Sequence, residues 1–490
     1  MSEIHVRTTP HRAVLWWELP AQPPAQYEVL LEGVHRCTVQ RTHADLEDLI
    51  PGTEYRVRVE PVGEVRFRTP QPRRRLDVTA APYFAVGDGK TMNRAALQQA
   101  LDDCGPDQVV YFPAGVYLTG GLRGHGDTEI YLEEGAVLQG SSRPEDYLPR
   151  IPSRFEGIEM ECCQSLLNFG HLDHAAEPNC GNVLIHGRGT IRGGGYDLAW
   201  ATIRSERERL REELAAMADL VKTCENENTI PGRVRGRLIN LSNCEKVRIS
   251  GLTLADGAGW NLHMVYSRDI VTDHCTFRSE GIWNGDGWDP DSSEDCTLFG
   301  CTFYTQDDSV AIKSGKNPEG NRIGRPTRRV RVFDCRSAFG HGICVGSEIS
   351  GGIEDVAIWD CDLASSQFGV LVKGTKKRGG GVQGLTVRRC ILPRVMVCQV
   401  GYNDDGEPGP RPPIFRDFLF EELTLTGRYQ DVDGDGSIRS CAPVELSGFD
   451  VPGYALQNVT LQQLELTGDQ AASIQLQHCQ GVTLEQIRCR

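Results

Sequence analysis

The chain lacks any long apolar run. None of its 490 residues lies in a stretch able to cross a bilayer, and the N-terminus, MSEIHVRTTPHRAVLWW, has no apolar segment of signal-peptide length. No membrane partner and a cytoplasmic location are therefore the expectation. Positive charge is also in short supply. The 52 Lys and Arg against 67 Asp and Glu leave a formal net charge of −15, which argues against nucleic acid as a partner. There is no CxxC pair and no His/Cys cluster at metal-ligand spacing, so neither a metal nor a cofactor is expected. Aromatics are sparse at 7%, whereas the 54 glycines suit many short strands joined by tight turns. The eighteen cysteines, spread through a large chain without a leader, read as reduced, buried thiols rather than a disulfide scaffold. Oligomeric state leaves no mark in the sequence.

At this length the chain holds more than one ordinary domain or one elongated core. Residues 1–70 alternate as short strands, in Ala13–Trp17, Tyr27–Leu31, Tyr55–Val59 and Val65–Phe67, which predicts a small β-sandwich. Residues 71–81, with Gln71-Pro-Arg-Arg-Arg75, read as a linker, and 82–490 as the second domain. A helix at 93–103 shows an apolar face at Ala96, Leu97, Ala100 and Leu101. It would cap one open end of that domain. A second helix is expected within 198–223, from Leu210, Leu214, Met217 and Val221, as an insertion packed on the outside or, as the lesser alternative, walling one side of the binding cleft.

From residue 247 one template recurs: apolar, x, apolar, two turn residues, apolar, x, apolar. It is filled by Val247/Ile249/Leu252/Leu254, by Ile270/Thr272/Cys275/Phe277, and by seven more units ending with Val482/Leu484/Ile487/Cys489. Unit starts are 23 to 41 residues apart, the excess falling in loops. Spacing of two excludes helical solenoids, and a unit this small can bury its apolar side chains only by stacking on its neighbours. The fold class is therefore all-β, a parallel β-helix behind the sandwich. Cys275, Cys301, Cys335, Cys361 and Cys390 share one template position and predict an interior ladder of thiols.

Four polar clusters fall in consecutive loops: Asn284-Gly-Asp286, Gln306-Asp307-Asp308, Gly340-His341-Gly342, and Lys373 in Gly369-Val-Leu-Val-Lys373-Gly. Asp307 and His341 each lie six residues after a template cysteine, and Lys313 and Lys373 each lie twelve after one. Equal offsets in a stacked solenoid mean one face, with coils about 4.8 Å apart. Solvated turns would explain a lone Asp pair, but not the matched offsets. Three carboxylates this close cannot all ionise freely. Glycosidic cleavage needs that division, a protonated acid for the leaving oxygen and an ionised partner for water.

Leu46-Glu-Asp-Leu-Ile-Pro-Gly-Thr-Glu-Tyr55 resembles a fibronectin type III domain. Asn284-Gly-Asp286, Asp307-Asp308 and Gly340-His341-Gly342, in that order, resemble glycoside hydrolase family 28, the polygalacturonases and their relatives. Phe339-Gly-His-Gly-Ile-Cys-Val-Gly-Ser-Glu348 is similar to its bacterial exo-acting members, and Phe112-Pro-Ala-Gly-Val-Tyr-Leu-Thr-Gly120 to the family's start. The resemblance covers about residues 82–490 and implies a right-handed parallel β-helix. It further implies an inverting, metal-independent hydrolase of acidic, galacturonate-containing pectic oligosaccharides, acting from chain ends. It makes Asp307 the general acid, Asp286 and Asp308 the holders of the attacking water, and His341 their support. Asn284, Lys313, Lys373 and Arg378 would contact substrate. The family's Arg-Ile-Lys reads Leu371-Val372-Lys373 here. Arg378 or Lys376/Lys377 must replace that arginine, or the sugar beside the cut is not galacturonate. Gly285 in place of threonine looks a minor change.

Two other classes are open to these residues. A Ca²⁺-dependent β-helix lyase would use Asp286, Asp289, Asp291, Asp307 and Asp308 as ligands and a lysine as base. An inactive carbohydrate-binding solenoid would account for a lost arginine.

Overall fold

The structure, a computed structural model, describes residues 3–401, 405–470 and 472–490. The chain forms two compact units, Met1–Arg74 and Arg75–Arg490. Within the first, a three-stranded sheet (Ile4–Thr9, Arg12–Trp17, His43–Leu46) and a four-stranded sheet (Val34–Val39, Tyr27–Leu31, Glu54–Glu60, Gly63–Arg68) make a small antiparallel sandwich. Period-2 alternation turns Val57 and Val59 into its core beside Leu15 and Val29, with Trp17 edge-on to Tyr27 at 5.1 Å. Part of the expected linker is structured. Arg74–Asp77 is the first strand of the largest sheet of the second unit, because Leu76 turns into the second core.

That second unit is a right-handed parallel β-helix of 13-, 8- and 11-stranded sheets. The first template position runs as one in-register column, Val247–Ile270–Cys296–Val330–Val356–Leu385–Phe418–Val459–Val482. The corner from the 13-stranded sheet to the 8-stranded sheet, and to the four-stranded sheet that takes its place in the last coils, has a single physical device. The residue just before the Cys, Leu or Ile of the next template position is left-handed: His274, Gly300, Asp334, Asp360, Arg389, Glu422, Gln463 and Gln486 all have φ between 47° and 62°. One such residue turns the chain sharply at about 1–3 kcal/mol when it is not glycine, and stacking repays it by turning the next side chain inward. The five cysteines do form a buried ladder, with Cys275 N–H donating to Cys301 Sγ at 3.3 Å and Cys361 N–H to Cys390 Sγ at 3.4 Å.

The helix Arg94–Asp102 buries Leu97, Ala100 and Leu101 against the first coils. The later insertion differs from expectation. Its main helix starts at Gly195, ends at Arg209 and buries Leu198, Ala199, Thr202 and Ile203, whereas the short helices Arg211–Ala216 and Ala218–Val221 bury nothing. The Leu210/Leu214/Met217/Val221 stripe is only half-buried, so it does not make the docking face. An antiparallel hairpin, Ile151–Phe155 with Ile158–Cys162, interrupts the coils earlier in the chain.

Candidate active site

The 11-stranded sheet carries the site on its outer face. Strand alternation sends Leu262, Trp288, Val310, Ile343, Val370 and Val395 into the core. It leaves His263, Asp289, Ala311, Cys344, Leu371 and Met396 facing out. Loops entering these strands bring Asp286, Asp307, Asp308 and His341 to one edge of a cavity of about 670 Å³. Loops leaving them bring Lys316, Ser347 and Arg378 to the other.

His341 is the hub of the acidic edge. Its Nδ1 lies 3.1 Å from an oxygen of both Asp307 and Asp308, and its Nε2 lies 3.0 Å from Asp433. Burial opposes charge on the ring, but Asp307, then Asp308 and Asp433, outweigh it and raise its pKa well above the ordinary value. His341 is thus a cation donating from both nitrogens. Asp307, Asp308 and His341 offer atoms close enough to hold a metal, yet a metal would require the His341 nitrogen to be neutral, against three carboxylates. Gly340 has φ +138°, and a Cβ there would meet Thr305 Oγ1 at 2.4 Å, so glycine lets the histidine reach this position.

The two aspartates behind the edge are driven apart. Burial pushes Asp286 up to about 8, against the Lys313 ammonium 3.0 Å away. Burial also opposes ionisation of Asp308, but Lys373, 3.1 Å away, and then His341 hold it well below the carboxylate range. Burial thus favours the protonated form of Asp286, while Lys373 and His341 favour the ionised form of Asp308. Asp307 is the most open of the three, its side chain 25% exposed against 4% and 3% for Asp286 and Asp308.

The four residues expected to bind substrate all line the cavity, but each is already engaged. Lys313 is buried, holding Asp286 with its ammonium 4.3 Å from the Trp260 ring centre. Lys373 reaches Asp308. Arg378 donates to Asn317 Oδ1 at 2.7 Å and to the Ser347 carbonyl at 3.1 Å. It therefore belongs to the opposite edge and does not replace an arginine at position 371. Lys376 and Lys377 are not among the lining residues. Asn284 accepts a bond from Arg235 Nη2 at 2.7 Å. Gly285 is no minor change, because a Cβ there would meet Ile282 O at 2.7 Å and the Ser279 side chain at 2.9 Å.

Several site residues carried no sequence motif. Arg235, fully buried, also holds the Trp283 carbonyl at 2.8 Å and so bolts down the loop bearing Asp286. Glu225 from the helical insertion and Trp283, stacked 6.3 Å from Trp200 of its main helix, line the cavity. The insertion therefore walls the cleft, the lesser of the two placements expected from the sequence. The hairpin lies across the sheet beside Asp291. Its Arg154 is fully buried, 3.2 Å from Asp291 and 2.9 Å from Ser292 Oγ, and Phe155 stacks on Trp260 at 4.5 Å. Glu156 from its turn lines the cavity.

Residues 178–409 match the profile Glycosyl hydrolases family 28, and residues 2–72 match Fibronectin type III domain. The chain is 25% identical to an exo-poly-alpha-D-galacturonosidase of Dickeya chrysanthemi over 475 residues, covering 90% of this chain and 76% of that one. It is 29% identical to a probable polygalacturonase of Vitis vinifera over 379 residues, covering 72% and 70%. Among solved structures, a family 28 exopolygalacturonase of Yersinia enterocolitica superposes with TM-score 0.77 at 20% identity, covering 99% of this chain and 96% of that one. An exopolygalacturonase of Thermotoga maritima gives 0.70 at 23%, covering 86% and 92%.

Proposed function

Residues 178–409 are a polygalacturonase-like glycosyl hydrolase family 28 domain behind a fibronectin type III domain, and from that premise we propose that this glycoside hydrolase removes terminal galacturonate from short pectic chains with inversion. The observation that carries the reading is the convergence of three carboxyls on one edge of the cavity, with Asp286 and Asp308 buried and Asp307 open to it.

In the proposed step Asp307 gives its proton to the bridging oxygen as the bond from that oxygen to the anomeric carbon breaks. A water held between Asp286 and Asp308 forms the new bond from the opposite face, and its proton goes to Asp308. His341, with Nδ1 3.1 Å from Asp307, can return a proton to Asp307 between turnovers.

The hairpin supports the exo reading. In an open groove the outward-facing His263 and Asp291 would meet solvent, but both are fully buried, and Arg154, Phe155 and Glu159 cover this stretch through Asp291, Trp260 and Tyr266. A chain entering from the later coils meets a wall just past the acids, leaving room for a terminal sugar. Lys316 and Arg378 on the far edge supply positive charge for its carboxylate.

The test is product analysis on short galacturonate oligomers, with the anomer followed by NMR as it forms. Wild type should release single sugars as the inverted anomer, and Asp307→Asn should be slower by about 10²–10⁴-fold. Release of unsaturated products, or of the retained anomer, would overturn the mechanism.

A further inference from the structure

The cavity is chemically lopsided along the helix axis. Towards the blind end it is charged, with Glu156 and Lys316 in the lining and the Arg378 guanidinium reaching back from the coil of Leu371 to Asn317 and Ser347. Towards the later coils, where the leaving part of the substrate must lie, the floor is Leu371, Met396, Cys398 and Val400, with Phe368 at the edge. Register explains the run: Leu371 pairs with Met396 and Lys373 with Cys398, so alternate outward positions of two successive strands are uncharged except for Lys373. That lysine is drawn to Asp308. The charge added at this end is negative. Asp433 is held by His341 and by Gln367 at 2.8 Å, and its side chain is 56% exposed beside Phe368's coil. A carboxylate on the leaving sugar would lose water to an apolar floor and face Asp433.

We propose that the leaving sugar carries an apolar group at C6 in place of a free carboxylate. The shared chemistry is a terminal methyl, supplied either by a 6-deoxyhexose or by a methyl-esterified uronate. This rests on the proposed hydrolase reading and narrows it. The charged blind end takes an acidic sugar, and the apolar strip takes a neutral one.

Three disaccharides decide it: galacturonosyl-rhamnose, digalacturonate esterified only on its reducing-end residue, and free digalacturonate. The expected result is a kcat/KM at least tenfold higher for one or both methyl-bearing substrates than for free digalacturonate. An apolar contact of this size discriminates by about 10–200-fold. Whichever methyl-bearing substrate is faster identifies the source of the methyl. Met396→Lys, at a half-buried position, should shrink the preference at least tenfold, and Leu371→Arg should do so more strongly if it folds. Free digalacturonate cleaved as fast as the others, or a preference unmoved by Met396→Lys, would overturn the inference while leaving the hydrolase intact. No cleavage of any of the three would overturn the hydrolase reading itself.

Discussion

Replacing Arg154 with methionine should unlatch the hairpin and change where the enzyme cuts. The guanidinium and Asp291 are both fully buried, 3.2 Å apart. Removing the cation leaves Asp291 only its bond from Gly315 N–H at 3.1 Å and the His263 imidazole 3.5 Å away. Breaking a buried pair in this way costs about 3–5 kcal/mol. The loss is local, because the stacking of Phe155 on Trp260 and the bond from Tyr266 OH to Glu159 at 2.6 Å remain. At about 1.4 kcal/mol per decade, the open hairpin gains roughly two to three and a half decades in population. Amide exchange over residues 151–162 should accelerate accordingly, while the core columns stay protected. On a long acidic polymer, the variant should lower viscosity more per bond cleaved than wild type does, because internal cuts become accessible. Adding Asp291→Asn keeps an acceptor for Gly315 and removes the orphan charge, so the double variant should recover most of the protection. Exchange altered less than tenfold, with an unchanged product pattern, would refute both the energetics and the blocking role.

The remaining expectations concern charge and packing. Asp286 has a folded pKa near 8 against about 4 unfolded, so the folded state holds the extra proton between those values. Unfolding free energy should therefore fall as pH rises from about 4 to about 8, and Asp286→Asn should flatten that slope in denaturant titrations. Asp308 works in the opposite sense: its contribution is present above pH about 4 and is lost on further acidification. Asp433→Asn removes one of the carboxylates that raise His341, so the imidazole NMR titration and the alkaline limb of kcat/KM should both move to lower pH. Phe303, buried and stacked on Phe277 at 4.7 Å, should cost about 3–5 kcal/mol as Phe303→Ala, read as a lower midpoint in chemical unfolding.

The β-helix was legible because its physics is repetitive. A period of two and one bend per unit suffice to set the column Val247 to Val482, and the ladder from Cys275 to Cys390 follows from the same register. The corner device was hidden, since His274, Asp334, Arg389 and Gln463 share a backbone angle but no side-chain chemistry. Asp307 and His341 could be grouped because each sits six residues after a template cysteine, and Asp308 and Asp286 joined them through the order of the polar clusters on consecutive loops. The residues that hold them could not. Arg235 belongs to no repeat, Asp433 reaches His341 from 92 residues away, and Arg154 meets Ser292 across 138. The insertion was misplaced for a related reason: Leu210, Leu214, Met217 and Val221 have helical spacing, but helix breaks after Arg209 and Ala216 put them out of phase.

The length of each repeat carries information that its pattern does not. A coil needs about 23 residues, as in Val247 to Ile270, which adds only Trp260 to the cavity lining, and Val459 to Val482, which adds no residue to it. From Cys296 to Val330 there are 34 residues, and the excess brings Lys316 to the cation edge. From Leu385 to Phe418 there are 33, and the excess carries Asp405, the buried partner of Lys316 and Arg233. From Phe418 to Val459 there are 41, and that loop delivers Asp433 to His341. The minimal coil makes the floor, and additional residues make walls. Because each wall is an independent loop on a shared scaffold, the end at which the cleft is closed and the charge facing each sugar can change without disturbing the column that positions Asp286, Asp307 and Asp308.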